Sequence, residues 1–421
     1  MRILWLCNIP LPIIANSISI PVVNSGGWLD GLSKDLMNKT EVELGVCFPT
    51  KPNKQTYGNV GKLKYYSFVK TNGKKNNSVK DLEEIFIDFL KDFKPDVVHI
   101  WGTEYLHSLA MTNATNKLGM LDNTVISIQG LVSIYSKHYM ANLPHEVYKG
   151  RTIRNIILRD YLEQGRKDFK KRGLSEIKAL NRVKHVIGRT DWDKACTQMI
   201  NPNAKYHFCN ETLRDEFYKQ QWDFSKCEKN SIFMSQATYP IKGLHFMLEA
   251  LPEIIKRYPD THLYIAGNSI VKNSNIKDKI KRTYYGKHIL SLIKKYKLEN
   301  HITFTGNLDE KEMCNRYLKS NVFVSASSIE NSPNSVGEAM LLGVPVVTSD
   351  VGGVKNLLRH EREGFVYQHD ASYMLAYYVC EIFKSSDLAK SFSEKAREHA
   401  WKTHNKNENT KTLLEIYRKL C

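Results

Sequence analysis

The chain has 421 residues, and its 61 Lys and Arg outweigh its 44 Asp and Glu to a formal net charge of +17. With 42% apolar and 25% charged residues it is not a disordered chain, and single cores stop growing near roughly 250–300 residues, which predicts two domains. The longest apolar runs, at 3–15 and 340–347, are broken by Asn8, Pro10, Pro12, Gly343 and Pro345, so neither reaches the ~18 residues of a membrane span.

Strand and helix alternate along the chain, the pattern of parallel sheets with helices on their faces. Residues 3–6 read as a strand, followed by a loop to Ser25-Gly26-Gly27-Trp28 and a helix at 29–37. Strands are expected at 42–47, 96–100, 123–128 and 184–188, with a helix at 79–93 stopped by Pro95. The Lys- and Asn-rich stretch 70–80 reads as an exposed loop. A second series follows a polar stretch at 218–229. Its expected strands are 231–234, 262–266, 301–305, 322–325 and 344–347, and its expected helices 244–258, 286–296, 311–318 and 335–342. The chain thus divides into 1–216 and 228–400, with a further helix in 402–421. Eight cysteines carry no paired or zinc-type spacing and read as reduced thiols, mostly small core residues. With Arg2 as the sole early basic residue and no small-residue cleavage pattern, a cytoplasmic location is expected.

The densest chemistry lies between Glu330 and Pro345, where Glu330 and Glu338 stand eight positions apart. Glu330 ends a strand and loop, and Glu338 sits in the first turns of a helix that Ser335 or a neighbour is expected to cap. A helix start offers free N–H groups and the positive end of the dipole, which suits an anion. A carboxylate beside it suits two adjacent hydroxyls, as on a ribose. Alone, this spacing is equally compatible with two solvated or capping glutamates. Lys242, just before the helix at 244–258, is a compact charge suited to phosphate, or else an ordinary loop lysine. Gly352-Gly353 marks a turn where backbone could approach a ligand.

Lys242-Gly243, then Glu330 and Glu338 with the continuation Glu338-Ala-Met-Leu-Leu-Gly-Val-Pro345, then Gly352-Gly353, resemble the retaining glycosyltransferases of family 4. Gly26-Gly27 and Pro95-Asp96-Val97-Val98-His99 fit the same group, and the phrases His99–Glu104 and Gln129-Gly130-Leu131 resemble members from bacterial capsule and exopolysaccharide clusters. The resemblance implies a GT-B architecture: two Rossmann-like α/β domains facing across a cleft, the first binding the acceptor and the second the nucleotide sugar, with the C-terminal helix crossing back to the first. It implies a metal-independent, retaining transfer of a hexose from a UDP- or GDP-sugar, with no cofactor. The acceptor would be a lipid-diphosphate-linked or growing saccharide of surface-polysaccharide synthesis. By the same resemblance Lys242 binds the donor diphosphate, Glu330 lies near the transferred sugar and Glu338 on the ribose. Asn334, Ser335, Gly27 and Gly353 then bring backbone to sugar and phosphate.

Two positions depart from the family pattern. Gln236 stands where an arginine is common, and Gln129 where a histidine is common. Gln129 can orient a sugar hydroxyl but cannot act as a base at neutral pH. Asp191-Trp192-Asp193 could suggest a metal site, but with Thr190 ahead of it the stretch reads as a capped helix start. Residues 149–189 hold 13 basic against 4 acidic residues, and Ile153, Ile156, Ile157, Tyr161 and Leu162 recur at helical spacing. That pattern fits an anionic membrane surface, the alternative being a core-packed helix with a basic solvated face. Nucleic-acid binding is not expected, since the charge comes without a recognisable module. A sugar-nucleotide epimerase of the same fold and a non-catalytic accessory subunit remain the alternatives to a transferase.

Overall fold

The computed structural model describes residues 1–22, 27–39, 41–51, 56–69, 78–272 and 276–421. Gly26 and most of the expected loop at 70–80 lie outside the described residues. The chain packs as two compact units, one of residues 1–134, 170–214 and 404–421, the other of residues 135–169 and 215–403.

The first unit is built on an eight-stranded sheet. Its strands are β1 (Arg2–Leu6), β2 (Glu43–Thr50), β3 (Tyr57–Val60), β4 (Leu63–Val69), β5 (Val97–Trp101), β6 (Thr124–Ser127), β7 (His185–Gly188) and β8 (Lys205–Phe208). They lie in the order β3-β4-β2-β1-β5-β6-β7-β8. All pairs are parallel except β3 with β4, which form an edge hairpin. The central strands are buried on both faces, as in β5, where all five residues are inaccessible. Strands covered on both faces read as continuous apolar runs, which is why they were legible without alternation. The register sets Ile3 beside Val97 and Trp5 beside His99.

The helix Lys406–Arg418 belongs to this first unit, as the resemblance implies. Its anchor is Tyr417, which is fully buried. The Tyr417 hydroxyl accepts from Trp5 Nε1 at 3.0 Å and bonds to His99 Nδ1 at 2.6 Å, so it ties together β1 and β5. His99 Nε2 meets Ser127 Oγ at 2.7 Å, and burial holds the imidazole well below its ordinary pKa. Neutral histidine, with one donor and one acceptor nitrogen, is the form that such a dry network admits.

The second unit is built on six parallel strands: β9 (Glu228–Met234), β10 (His262–Ala266), β11 (Ile302–Gly306), β12 (Ser320–Ser325), β13 (Val346–Ser349) and β14 (Phe365–Tyr367). Their order is β11-β10-β9-β12-β13-β14. β13 starts two residues later than expected, because Pro345 has no N–H to give to the ladder.

Residues 135–169, numbered inside the expected first domain, pack with the second unit. Polar contacts explain the assignment. His245 Nε2 donates to Ala141 O at 2.8 Å, and Tyr284 N donates to Asn155 Oδ1 at 3.0 Å. Gly150 lies so close to the Tyr284 ring that a Cβ there would meet it at 2.3 Å. No composition shift marks these joins, so the sequence alone does not show them.

Among the described residues all eight cysteines are free thiols, five of them buried. The Asp191–Ile200 helix starts as expected, with the Thr190 side chain accepting from Asp193 N at 3.0 Å. Asp193 then spends its own oxygens inside the fold, accepting from Arg189 N at 3.0 Å and Tyr206 OH at 2.5 Å. Among the described residues no helix is long and apolar enough to cross a membrane.

Candidate functional site

In an open parallel sheet, ligands bind beyond the carboxyl ends of the strands, where the strand order reverses. In the second unit that reversal falls between β9 and β12. The segment after β9 ends in a single 3-10 turn, Pro240–Lys242, and the segment after β12 carries Glu330. Lys242 and Glu330, 88 positions apart, meet there: Nζ donates to Oε1 at 2.5 Å. Ser327 Oγ donates to the same oxygen at 2.8 Å. Among the described residues Glu330 Oε2 makes no hydrogen bond, so it keeps its acceptor capacity for a ligand.

Backbone geometry forces this meeting. Gly243 follows Lys242 with φ of +71°, and a Cβ there would stand 1.8 Å from Ala326 O. Ser328 N donates to Ile241 O at 2.8 Å, which clamps the two loops together. Gly352 has φ of +53°, and its Cβ would stand 1.8 Å from Glu330 O. Gly353 N donates to that same oxygen at 3.2 Å. Glycine is required at both positions, for the left-handed backbone and for the close approach. Burial alone would lower the Lys242 pKa, but the Glu330 carboxylate outweighs it and the ammonium is held above the ordinary lysine range. The lysine is therefore a fixed cation, and any incoming anion shares it with Glu330.

Asn334 and Ser335 open the helix Asn334–Leu342, and Glu338 lies just past its first turn, 6% exposed. The expected capping residue is not Ser335. Pro333 takes the N-cap position with φ of −68°, and no side chain caps the helix. Proline pre-sets the entry angle but has no side-chain acceptor, so the leading N–H groups keep no side-chain partner. Ser335 contributes its carbonyl instead, accepting from Tyr317 OH at 3.0 Å. Gln236, beyond the end of β9, is exposed. Lys242, Glu330 and Gly353 thus form one contiguous group at the reversal point, with Asn334, Ser335 and Glu338 on the helix that follows Glu330.

The other two expected site residues belong to the first unit. Gly27 is the first residue of the helix Gly27–Met37. Gln129 Nε2 donates to Glu211 Oε1 at 2.5 Å, and Glu211 is ion-paired with Arg189. Arg189, counted above with the basic surface of 149–189, is 7% exposed. It is consumed by that buried pair and is no part of any basic surface. One N–H of the Gln129 amide is thereby engaged, leaving its second N–H and its carbonyl for a ligand. A cavity bounded by Trp28, Trp101, Arg189, Glu211 and Asn409 offers about 20 Å³ to the centre of a water molecule. That is room for one water, not for a sugar.

Comparisons with known proteins bear on the family likeness and the fold. Residues 215–399 match the family described as Glycosyl transferases group 1. The chain is 25% identical over 181 residues to spore coat protein SA of Bacillus subtilis, a match covering 42% of this chain and 46% of that protein. The chain thus spans about half the length of such curated relatives. Solved structures are alike over the full chain. Sucrose-phosphate synthase from Thermosynechococcus elongatus superposes with a TM-score of 0.72 at 15% identity, covering 100% of this chain and 99% of that one. Anabaena HepE, solved in complex with UDP and glucose, gives 0.68 at 15% identity, covering 99% of each chain. At such identity these structures establish the fold, the α/β architecture of GT-B glycosyltransferases.

Proposed function

We propose that this chain is a retaining, metal-independent glycosyltransferase of family 4 that takes a hexose from a nucleotide diphosphate sugar. The observation that carries the reading is the Lys242–Glu330 pair at the strand-order reversal of the unit that matches the group 1 family. In such a transfer the bond from the anomeric carbon to the diphosphate breaks as the bond to the acceptor oxygen forms. The acceptor proton ends on the departing phosphate, so the reading requires no protein nucleophile. Charge accumulates on the diphosphate, and fixed donors aimed there lower the barrier. Lys242 and the uncapped start of Asn334–Leu342 are the donors in this reading, while Gly353, its N–H held by Glu330 O, keeps the Glu330 backbone in place beside them. Glu330, with one oxygen free, orients the sugar, and Glu338 takes the ribose hydroxyls.

The acceptor in this reading is a lipid-linked or growing saccharide at an anionic membrane surface. Helix Ile153–Leu158 supports it. Ile153, Ile156, Ile157 and Leu158 are 67%, 64%, 71% and 59% exposed, whereas Thr152 and Asn155 are buried and form its capping box. The helix is anchored by polar groups and presents aliphatic ones outward, beside exposed Lys149, Arg159, Arg166 and Lys167. A core-packed helix would do the reverse. Binding to vesicles containing phosphatidylglycerol is expected to weaken with salt. Unchanged binding after charge reversal at Arg159, Arg166 and Lys167 would remove this part of the reading.

The transfer itself is tested by incubating the purified chain with a panel of UDP- and GDP-hexoses and measuring nucleoside diphosphate release. Release from at least one donor is expected. No release from any of them, with or without membrane extract as acceptor, would favour an accessory role instead.

A further inference from the structure

Lys242 meets a second side chain from its own turn. Tyr239 is the N-cap of the 3-10 turn Pro240–Lys242, with φ of −140° and ψ of 156°. Pro240 holds the residue before it extended, and Lys242 N donates back to Tyr239 O at 3.1 Å, which closes the turn. Three residues make one turn of a 3-10 helix, so side chains at i and i+3 lie in line. Tyr239 and Lys242 have that spacing, and Lys242 Nζ stands 5.9 Å from the centre of the Tyr239 ring. Pro240 and Ile241 between them are buried, and the bond from Ser328 N to Ile241 O fixes the turn against the loop that carries Glu330. The half-buried Tyr239 therefore borders the Lys242–Glu330 pair and is held there by backbone.

We propose that Tyr239 is a further substrate-binding residue, its hydroxyl giving a hydrogen bond to a diphosphate oxygen of the nucleotide sugar. The role rests on the glycosyl-transfer reading. The ammonium and the phenol oxygen are close enough that each shifts the ionisation of the other. An ammonium can only donate, so it draws the lone pairs of a neighbouring phenol oxygen toward itself and turns the O–H away. Among the described residues the Glu330 carboxylate accepts from Lys242 and Ser327 and not from Tyr239, so the phenol proton is left for a ligand. Lys242 already shares its charge with Glu330, and a diphosphate leaving a sugar gathers more charge than that one cation balances. A second cation would be repelled by Lys242, whereas a neutral O–H adds to it.

Burial raises the Tyr239 phenol above its ordinary range, against the pull of the Lys242 ammonium and with the support of the Glu330 carboxylate. The hydroxyl therefore keeps its proton at neutral pH, the form in which it can donate. The pair meets an incoming diphosphate as one fixed positive charge and one neutral donor, both carried by a single closed turn. A bond from a hydroxyl to an anionic oxygen is about twice as strong as one between neutral groups, so the phenol proton makes a measurable share of the grip.

The test compares the wild-type chain with Tyr239→Phe, which keeps the ring and removes the hydroxyl, by calorimetric titration with UDP, GDP and inorganic pyrophosphate. Pyrophosphate reads the diphosphate subsite without sugar or base. Tyr239→Phe is expected to weaken every one of these ligands that binds the wild-type chain by about 10-fold, with the melting temperature of the free protein unchanged. Equal affinities in the two chains overturn the proposal. So does a loss for the nucleoside diphosphate that spares pyrophosphate, because the hydroxyl would then face the nucleoside. Lys242→Gln, titrated alongside, separates the two claims. Weakened binding in Lys242→Gln with none in Tyr239→Phe sinks the Tyr239 assignment alone, while a wild-type chain that binds none of the three ligands sinks the donor site and Tyr239 with it.

Discussion

The two sheets reverse strand order at equivalent places but equip them differently. Between β9 and β12 a lysine is held charged by a carboxylate 2.5 Å away, with an uncapped helix start next in the chain. Between β1 and β5 the Glu104 carboxyl is lifted toward neutrality and faces the Asn8 amide, with no lysine in contact with it among the described residues. Topology supplies both reversals, whereas the charge placed at each differs. In the function proposed above, the first arrangement receives the diphosphate. Fold likeness alone could not have separated them, because the same architecture serves many substrates.

The comparison breaks most readily at Lys242. Lys242→Ala is expected to lower turnover by on the order of 10²–10³ in a chain that still folds, though less stably because Glu330 loses its partner, checked by steady-state release of nucleoside diphosphate. Near-normal turnover would leave the second crevice without its defining charge. Next comes Gly352→Ala. Its Cβ would collide with Glu330 O, so Glu330 must move from Lys242. Donor affinity is expected to fall at least about 10-fold, with roughly 1–2 kcal/mol of stability lost to the left-handed backbone, measured by calorimetric titration and urea unfolding.

The first crevice is probed through its support. Tyr417→Phe removes the acceptor for buried Trp5 N–H and the link to His99, on the two strands that flank the reversal. A loss of about 1–3 kcal/mol is expected by chemical denaturation, with donor binding retained. The effect with the least bearing on ligands is a pH slope of stability in the second unit. Burial lowers the His245 pKa to about 4, from an ordinary 6.5. The unfolded chain therefore binds the proton first as pH falls. The stabilisation is complete above about 6.5 and is lost by about 4, amounting to roughly 3 kcal/mol. His245→Gln should flatten that part of the stability–pH curve, read from urea unfolding at pH 7 and pH 4.5; an unaltered slope would place the titrating group elsewhere.

Much of this was legible in the chain. The buried strands announce themselves as short apolar runs, and Lys242, Glu330 and Gly353, which follow β9, β12 and β13, were read as one group through the family resemblance. The helix start at Asn334 was legible too, but its cap was not: Ser335 has the preferred chemistry, and the proline two residues earlier overrides it. Hairpin strands β3 and β4 escaped notice, since Tyr57–Val60 exposes alternate residues and has little apolar signal. Arg189 looked like surface charge because its partner, Glu211, lies far along the chain. Glu104 carried no local chemistry at all, and only the β1–β5 reversal brings Asn8 to it. Isoleucines at helical spacing read equally well as core or as an outward face, and the buried Thr152 and Asn155 decide between them.

The central claim is that a fixed cation at the β9–β12 reversal receives the diphosphate of an activated sugar. Its most direct test is the melting temperature of the wild-type chain and of Lys242→Ala with UDP- and GDP-hexoses at saturating concentration. A ligand bound at 100 times its dissociation constant stabilises by about 2.7 kcal/mol. The account predicts a rise of several degrees with at least one donor in the wild-type protein, largely absent in the variant. No rise with any donor, or an equal rise in both proteins, would contradict it.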